Sequence, residues 1–158
     1  MPMSYLQSVE FLYGLQKHGI QPGLGTIQAL LDRLDHPERR YPSLHIGGTN
    51  GKGSTATMAA SMLQATGYRV GLYTSPHLVD FRERIRINGE VISEARVAAL
   101  TECVRAVAVE LHEPTFFEVT TAMAFQQFAD AAIDVAVVEF GLGGRVDATN
   151  ILAPAAAA

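Results

Sequence analysis

The stretch Leu44-His45-Ile46-Gly47-Gly48-Thr49-Asn50-Gly51-Lys52-Gly53-Ser54 decides the fold. A short apolar strand runs straight into glycines, and a lysine and a serine stand where the glycines give way to a helical pattern. A strand that ends in a glycine-rich turn and opens a helix can cradle phosphate. The glycines let backbone N–H groups curl around anionic oxygens, and the helix N-terminus adds favourable partial charge. Gly48, Thr49, Asn50, Gly51, Lys52, Gly53 and Ser54 are therefore candidate nucleotide ligands. Lys52 would reach the terminal phosphates, and Ser54 would bind Mg²⁺. The spacing departs from the general G-x-x-x-x-G-K-[ST] pattern in two places. Ile46 rather than glycine stands five residues before Gly51, and Gly53 separates Lys52 from Ser54. The other reading is an ordinary glycine-rich strand-to-helix turn.

Outward from this loop the pattern alternates. Before it, Leu6, Val9, Phe11, Leu12 and Leu15 form a helical stripe between Ser4 and Lys17, closed by Gly19. Residues 21–25 form a Pro/Gly loop, and Thr26 caps a short helix through Leu34. After the loop, a helix from Ser54 to Thr66 leads to a strand from Arg69 to Thr74. Arg84–Ile87 and Val91-Ile92 flank Asn88-Gly89, the signature of a hairpin turn. Ser93 caps a helix to about Leu111, and another helix covers Thr115 to Ala131. Asp134 to Phe140 holds the unbroken apolar run Val135-Ala136-Val137-Val138, typical of a strand buried on both faces. Strands alternating with helices predict an α/β fold with a doubly wound, mostly parallel sheet around a P-loop.

Two more polar clusters fall at strand ends. Thr74-Ser75-Pro76-His77 follows the second strand and would lie at the crevice above the sheet, but alone it reads better as a capping serine with a surface histidine. Phe81, Arg82, Glu83 and Arg84 come next, and most of those charges are expected in a solvated loop. Glu139-Phe140-Gly141-Leu142-Gly143-Gly144-Arg145-Val146-Asp147 follows the most apolar strand. Glu139 stands where a P-loop enzyme places its metal carboxylate; the alternative is a loop-bracing or helix-capping glutamate. In an open parallel sheet, ligands bind outside the carboxyl ends of the strands, and all three clusters lie there.

Bulk properties narrow the class. The 158 residues are 48% hydrophobic and 18% charged, with a formal net charge of -4. That balance suits a packed domain and gives no basic surface for nucleic acid or membrane. No apolar run reaches membrane-span length. The N-terminus lacks a signal-peptide pattern, so a cytoplasmic protein is expected. Cys103 is the single cysteine; it excludes an internal disulfide, and its helical apolar setting suggests a buried thiol.

The run from Gly48 to Ser54 resembles the nucleotide loop of the folylpolyglutamate synthase and dihydrofolate synthase family. The run from Val137 to Asn150 resembles that family's second signature, and Thr74-Ser75-Pro76-His77-Leu78 with Glu83-Arg84-Ile85 resembles a third. The resemblance extends from about Tyr5 to Leu152. The broader relatives are the Mur ligases, whose nucleotide loops usually lack a glycine after the lysine, so Gly53 favours the folate branch.

The resemblance implies an ATP-dependent ligase with a Mur-ligase-like central domain. ATP phosphorylates a dihydropteroate or folate carboxylate, and the amine of L-glutamate attacks the acyl phosphate. By the same resemblance, Lys52 steadies the transferring phosphoryl group, and Ser75 and Glu139 hold Mg²⁺, with Ser54 as a further ligand. The pterin-bearing substrate would touch Thr115, Phe116, Phe117 and Glu118, then Val146, Asp147 and Ala148, and also Pro22, Gly23 and Leu24. Phe116 and Phe117 suit stacking on a flat pterin and equally suit a core. The family's chain continues past this one, into further metal ligands and a C-terminal domain that closes over ATP and glutamate. The resemblance therefore implies the N-terminal part of the ATP-binding domain, inactive alone and monomeric in its full-length form. A Mur-type ligase and a non-catalytic nucleotide-binding module are the competing readings. Asn150-Ile151-Leu152 looks like the start of another strand, the alanines from Ala155 to Ala158 carry no signal, and a sheet cut here would expose an edge.

Overall fold

The computed structural model describes every residue except Pro22, Glu113 and residues 142–146. Five α-helices and six strands are present among the described residues: α1 (Tyr5–Gly14), α2 (Gly25–Arg33), β1 (Ser43–Ile46), α3 (Lys52–Ala65), β2 (Val70–Tyr73), β3 (Ile85–Ile87), β4 (Glu90–Val91), α4 (Glu94–Ala108), α5 (Phe116–Asp130), β5 (Val135–Glu139) and β6 (Ala156–Ala157). They form one sheet in the order β4-β3-β2-β5-β1-β6. β2, β5, β1 and β6 are parallel, and the β3–β4 hairpin is antiparallel. The doubly wound reading of the sequence holds.

Side chains on a strand alternate between faces, and this splits the core. Ile46, Val70, Leu72 and Val137 face α3 and pack on Ala56 and Ala60. Tyr73, Ala136 and Val138 face the opposite layer, where Val119, Met123, Phe125 and Phe128 of α5 meet Leu12, Ile27, Leu31, Leu100 and Val104 of α1, α2 and α4. The α3 layer is thin, and Met58 and Met62 on α3 stand exposed.

Local signals set the helix starts. Ser4 and Thr115 each form a capping box with the residue three positions on, Gln7 and Glu118, and Ser93 caps α4. α2 starts two residues earlier than Thr26 would cap it, with Leu24 at the cap position. α3 starts at Lys52 rather than Ser54, behind Gly51 at φ 76°. A left-handed residue there favours glycine, and it turns the loop directly into the helix.

Three expectations are corrected. Cys103 is exposed: Val97, Leu100, Thr101, Val104 and Ala108 make the buried stripe of α4, and Cys103 lies roughly a third of a turn off it. Residues Ala148–Ile151 form a 3₁₀ turn capped by Asp147, not a strand. The sixth strand is instead the alanine tail, whose backbone pairs with Leu44 and His45 and covers the edge of β1. Gly47 N–H and Ala158 C=O extend this pairing at 2.7 Å. Backbone groups need partners whatever the side chain, so polyalanine serves.

Candidate nucleotide and acyl-acceptor site

The strand register assembles the site. Ile46 pairs with Glu139, and Tyr73 pairs with Val138. The ends of β1, β5 and β2 are therefore level, and the three polar clusters of the sequence meet there. Glu139 shares a face with Val135 and Val137, the α3 face. This places its carboxylate against the first turn of α3, where a Cβ built on Gly53 would lie 3.5 Å from Oε1 and 3.6 Å from Oε2.

Glu139 is 4% exposed. Its Oε2 accepts a hydrogen bond from the Ser75 backbone N–H at 3.0 Å. Burial raises its pKa, while the Ser75 N–H and the charge of Lys52 oppose the rise. The Ser75 hydroxyl is buried and has no hydrogen-bond partner. A buried carboxylate beside an unsatisfied hydroxyl is an oxygen donor set open to a hard cation. Among the described residues, no group of three or more His, Cys, Asp or Glu side chains converges on a metal position. Lys52 opens α3, half-buried. Gly48, Thr49, Asn50 and Gly51 form the exposed turn before it, and Ser54 is exposed in the first helical turn. A cavity of about 280 Å³ opens here, lined by Gly53, Thr57, Ser75, Pro76, Glu83 and Glu139.

Glu83 holds the loop after Ser75. Its carboxylate accepts from the N–H groups of Leu78 (3.0 Å), Val79 (3.0 Å) and Asp80 (2.7 Å). These bonds depress its pKa.

A second cavity, of about 250 Å³, is lined by Gln16, Gly19, Ile20, Gln21, Thr115, Phe116, Phe117, Glu118 and Ala148. Phe116 stacks on Tyr13 with ring centroids 5.8 Å apart. Phe117 packs on Gly141, where a Cβ would come within 2.1 Å of its Cζ. Glu118 is buried and spends its carboxylate on Thr115, whose N–H and hydroxyl donate to Oε2 at 2.8 Å and 3.0 Å. Asp147 is fully buried; it accepts from the Thr149 hydroxyl at 2.6 Å, and Thr149 meets His45 Nε2 at 2.7 Å. This buried chain ties the turn that carries Ala148 to β1. Gly23 is exposed and Leu24 half-buried; neither lines this cavity. Pro22 and Val146 lie outside the described residues.

The third cavity, of about 380 Å³, lies between the other two and shares residues with both: Gln16, Phe116 and Phe117 with one, Ser75 and Pro76 with the other. Arg84 lines it, and the expectation that the 81–84 charges are mostly a solvated loop is corrected. Phe81 and Arg84 are buried, at 2% and 7% exposure. The Arg84 guanidinium lies 5.0 Å from the Phe116 ring centroid, and Nε donates to His77 Nδ1 at 2.7 Å. A guanidinium always donates, so the neutral His77 ring carries its proton on Nε2 and donates it to the Tyr13 hydroxyl at 2.8 Å. Only the fold reveals this, because His77 and Phe116 come from distant segments.

The chain matches known proteins along nearly its whole length. No family model matches it. It is 42% identical over 157 residues to the dihydrofolate synthase/folylpolyglutamate synthase of Bacillus subtilis, covering 96% of this chain and 36% of that protein. The folylpolyglutamate synthase structure from Thermotoga maritima superposes with a TM-score of 0.89 at 50% identity, covering 95% of this chain and 36% of that one. A bifunctional folylpolyglutamate synthase/dihydrofolate synthase from Yersinia pestis, complexed with AMPPNP and Mn ion, gives a TM-score of 0.89 at 36% identity, with 98% and 38% covered. The chain thus spans just over a third of the length of these relatives. In sequence and in fold it belongs to the folylpolyglutamate synthase and dihydrofolate synthase family.

Proposed function

We propose that this chain supplies the nucleotide loop and the acyl-acceptor pocket of an ATP-dependent ligase, which joins L-glutamate to dihydropteroate, a folate, or both. The observation that carries the reading is the pairing of Glu139 with Ser75. A buried carboxylate and an unsatisfied buried hydroxyl sit beside the first turn of the helix that the glycine-rich loop and Lys52 open. Ser75 and Glu139 would hold Mg²⁺, with Ser54 as a further ligand from the first turn of α3. When bound, the ion neutralises charge on the nucleotide phosphates. The relative bound to AMPPNP and Mn supports this fit.

The remaining work belongs to the protein's own groups. Backbone N–H groups from Gly48 to Gly53 wrap the phosphates, and the Lys52 ammonium lies where charge develops on the transferring phosphoryl group. Thr115, Phe116, Phe117 and Ala148 wall the pocket for the pterin acid, with Glu118 and Asp147 bracing that wall from behind. The carboxylate receives the γ-phosphoryl group, the glutamate amine displaces phosphate, and an amide forms. We place the reaction in the cytoplasm, in a monomer.

The test incubates the protein with ATP, Mg²⁺, L-glutamate and dihydropteroate or tetrahydrofolate, and looks for a glutamylated product by mass. The full-length ligase should form product. The 158-residue chain alone should form none, since closure over ATP and glutamate needs the rest of the enzyme. Turnover of a UDP-linked cell-wall precursor in place of the pterin acid would contradict the reading.

A further inference from the structure

Among the described residues, Arg84 is a buried cation without an acidic partner. Among the described residues no carboxylate lies within ion-pair distance of it. Its neighbours Asp80 and Glu83 are committed elsewhere. Asp80 pairs with Arg82 and accepts from the Tyr5 hydroxyl, and Glu83 holds three backbone N–H groups. A buried charge normally has a counter-charge, because desolvation is otherwise uncompensated. Arg84 instead has a neutral histidine nitrogen on Nε and an aromatic face beneath it. Both contacts orient the guanidinium, and neither neutralises it. The cavity it lines also holds Ser75, whose buried hydroxyl has no hydrogen-bond partner. The Arg84 carbonyl accepts from Thr74 N–H at 3.0 Å, so Arg84 and Ser75 are fixed to each other through the backbone.

We propose that Arg84 binds the reacting carboxylate of the acyl acceptor, holding it in the cavity between the Phe116–Phe117 wall and Ser75. This rests on the proposed function and deepens it. The aromatic wall selects a flat ring system, and Arg84, beyond it, selects a carboxylic acid. A planar guanidinium matches a carboxylate with two parallel N–H donors. His77 and Tyr13 are positioning residues: Tyr13 stacks on Phe116 and accepts from His77, which holds Arg84 Nε.

The experiment titrates the 158-residue chain, free of metal and nucleotide, with dihydropteroate and with its neutral carboxamide, using calorimetry. The wild-type chain should bind the acid roughly 10- to 100-fold more tightly than the amide, the range for a charge-assisted pair. Arg84→Met keeps the apolar stem over Phe116 and removes the charge, so the preference for the acid should vanish and acid and amide should then bind alike. An equal loss for both ligands, or an unchanged acid preference in Arg84→Met, would overturn the assignment. If that variant does not fold, the wild-type arm still decides: no preference for acid over amide overturns it. A wild-type chain that binds neither compound contradicts the pterin pocket itself, and the Arg84 assignment falls with it.

Discussion

The Ser75 backbone N–H donates to the buried Glu139 carboxylate at 3.0 Å, while the Ser75 hydroxyl beside it is left without a partner. One residue thus braces the carboxylate with its main chain and leaves its side chain open to a ligand. The loop-bracing and metal-binding readings of Glu139 are compatible.

Glu139→Gln separates these roles. It should weaken Mg²⁺-dependent nucleotide binding while metal-free binding stays within about twofold, measured by calorimetry with AMPPNP. Loss of stability with metal dependence intact would favour bracing alone.

The same variant has a pH signature. Burial raises the pKa of Glu139, so the folded state holds its proton more tightly than the unfolded chain. The stability this contributes is present below the unfolded value of about 4.3 and is lost as pH rises through the folded value. In metal-free buffer at pH 7, Glu139→Gln should melt no lower than wild type. That relative advantage should shrink as the pH falls towards 4. A variant that melts well below wild type at neutral pH would contradict this.

Lys52→Ala should preserve the fold, since Lys52 is half-buried at the first position of α3, whose buried residues are Ala56 and Ala60. In the full-length ligase, the rate should fall by at least ~10²–10³. Normal turnover in a folded variant would remove Lys52 from the mechanism.

Glu83→Ala should release the loop that carries Ser75 and His77. Hydrogen exchange at the amides of Leu78, Val79 and Asp80 should accelerate, while exchange in β5 stays slow. Unchanged protection at these three amides would show that another group holds the loop.

Gly141→Ala should displace the Phe117 ring, because the new Cβ would sit 2.1 Å from Cζ. Overpacking of this kind costs ~1–3 kcal/mol. Pterin-acid binding should fall more than nucleotide binding, as measured on the same sample.

The legible and illegible parts of this site differ for physical reasons. Glu139 was readable because its strand is uniformly apolar and the two-residue period assigns its face. The nucleotide loop was readable because strand, glycines, lysine and helix are contiguous. Arg84 was not, because Phe81-Arg82-Glu83-Arg84 looks like a solvated loop until His77 and Phe116 are brought to it from elsewhere in the chain. Cys103 was misjudged by helix phase, where a third of a turn decides between core and solvent. β6 was invisible because four alanines carry no strand propensity; its pairing is set by the open edge of β1.

The central claim is that Ser75, Glu139 and the loop ending in Lys52 form one metal-dependent nucleotide site. The most direct measurement is AMPPNP affinity of the 158-residue chain with and without Mg²⁺, beside Ser75→Ala and Glu139→Gln. The account predicts tighter binding with Mg²⁺ in the wild-type chain and loss of that gain in both variants. Affinity that is the same with and without Mg²⁺, or a Mg²⁺ gain that survives both substitutions, would contradict it.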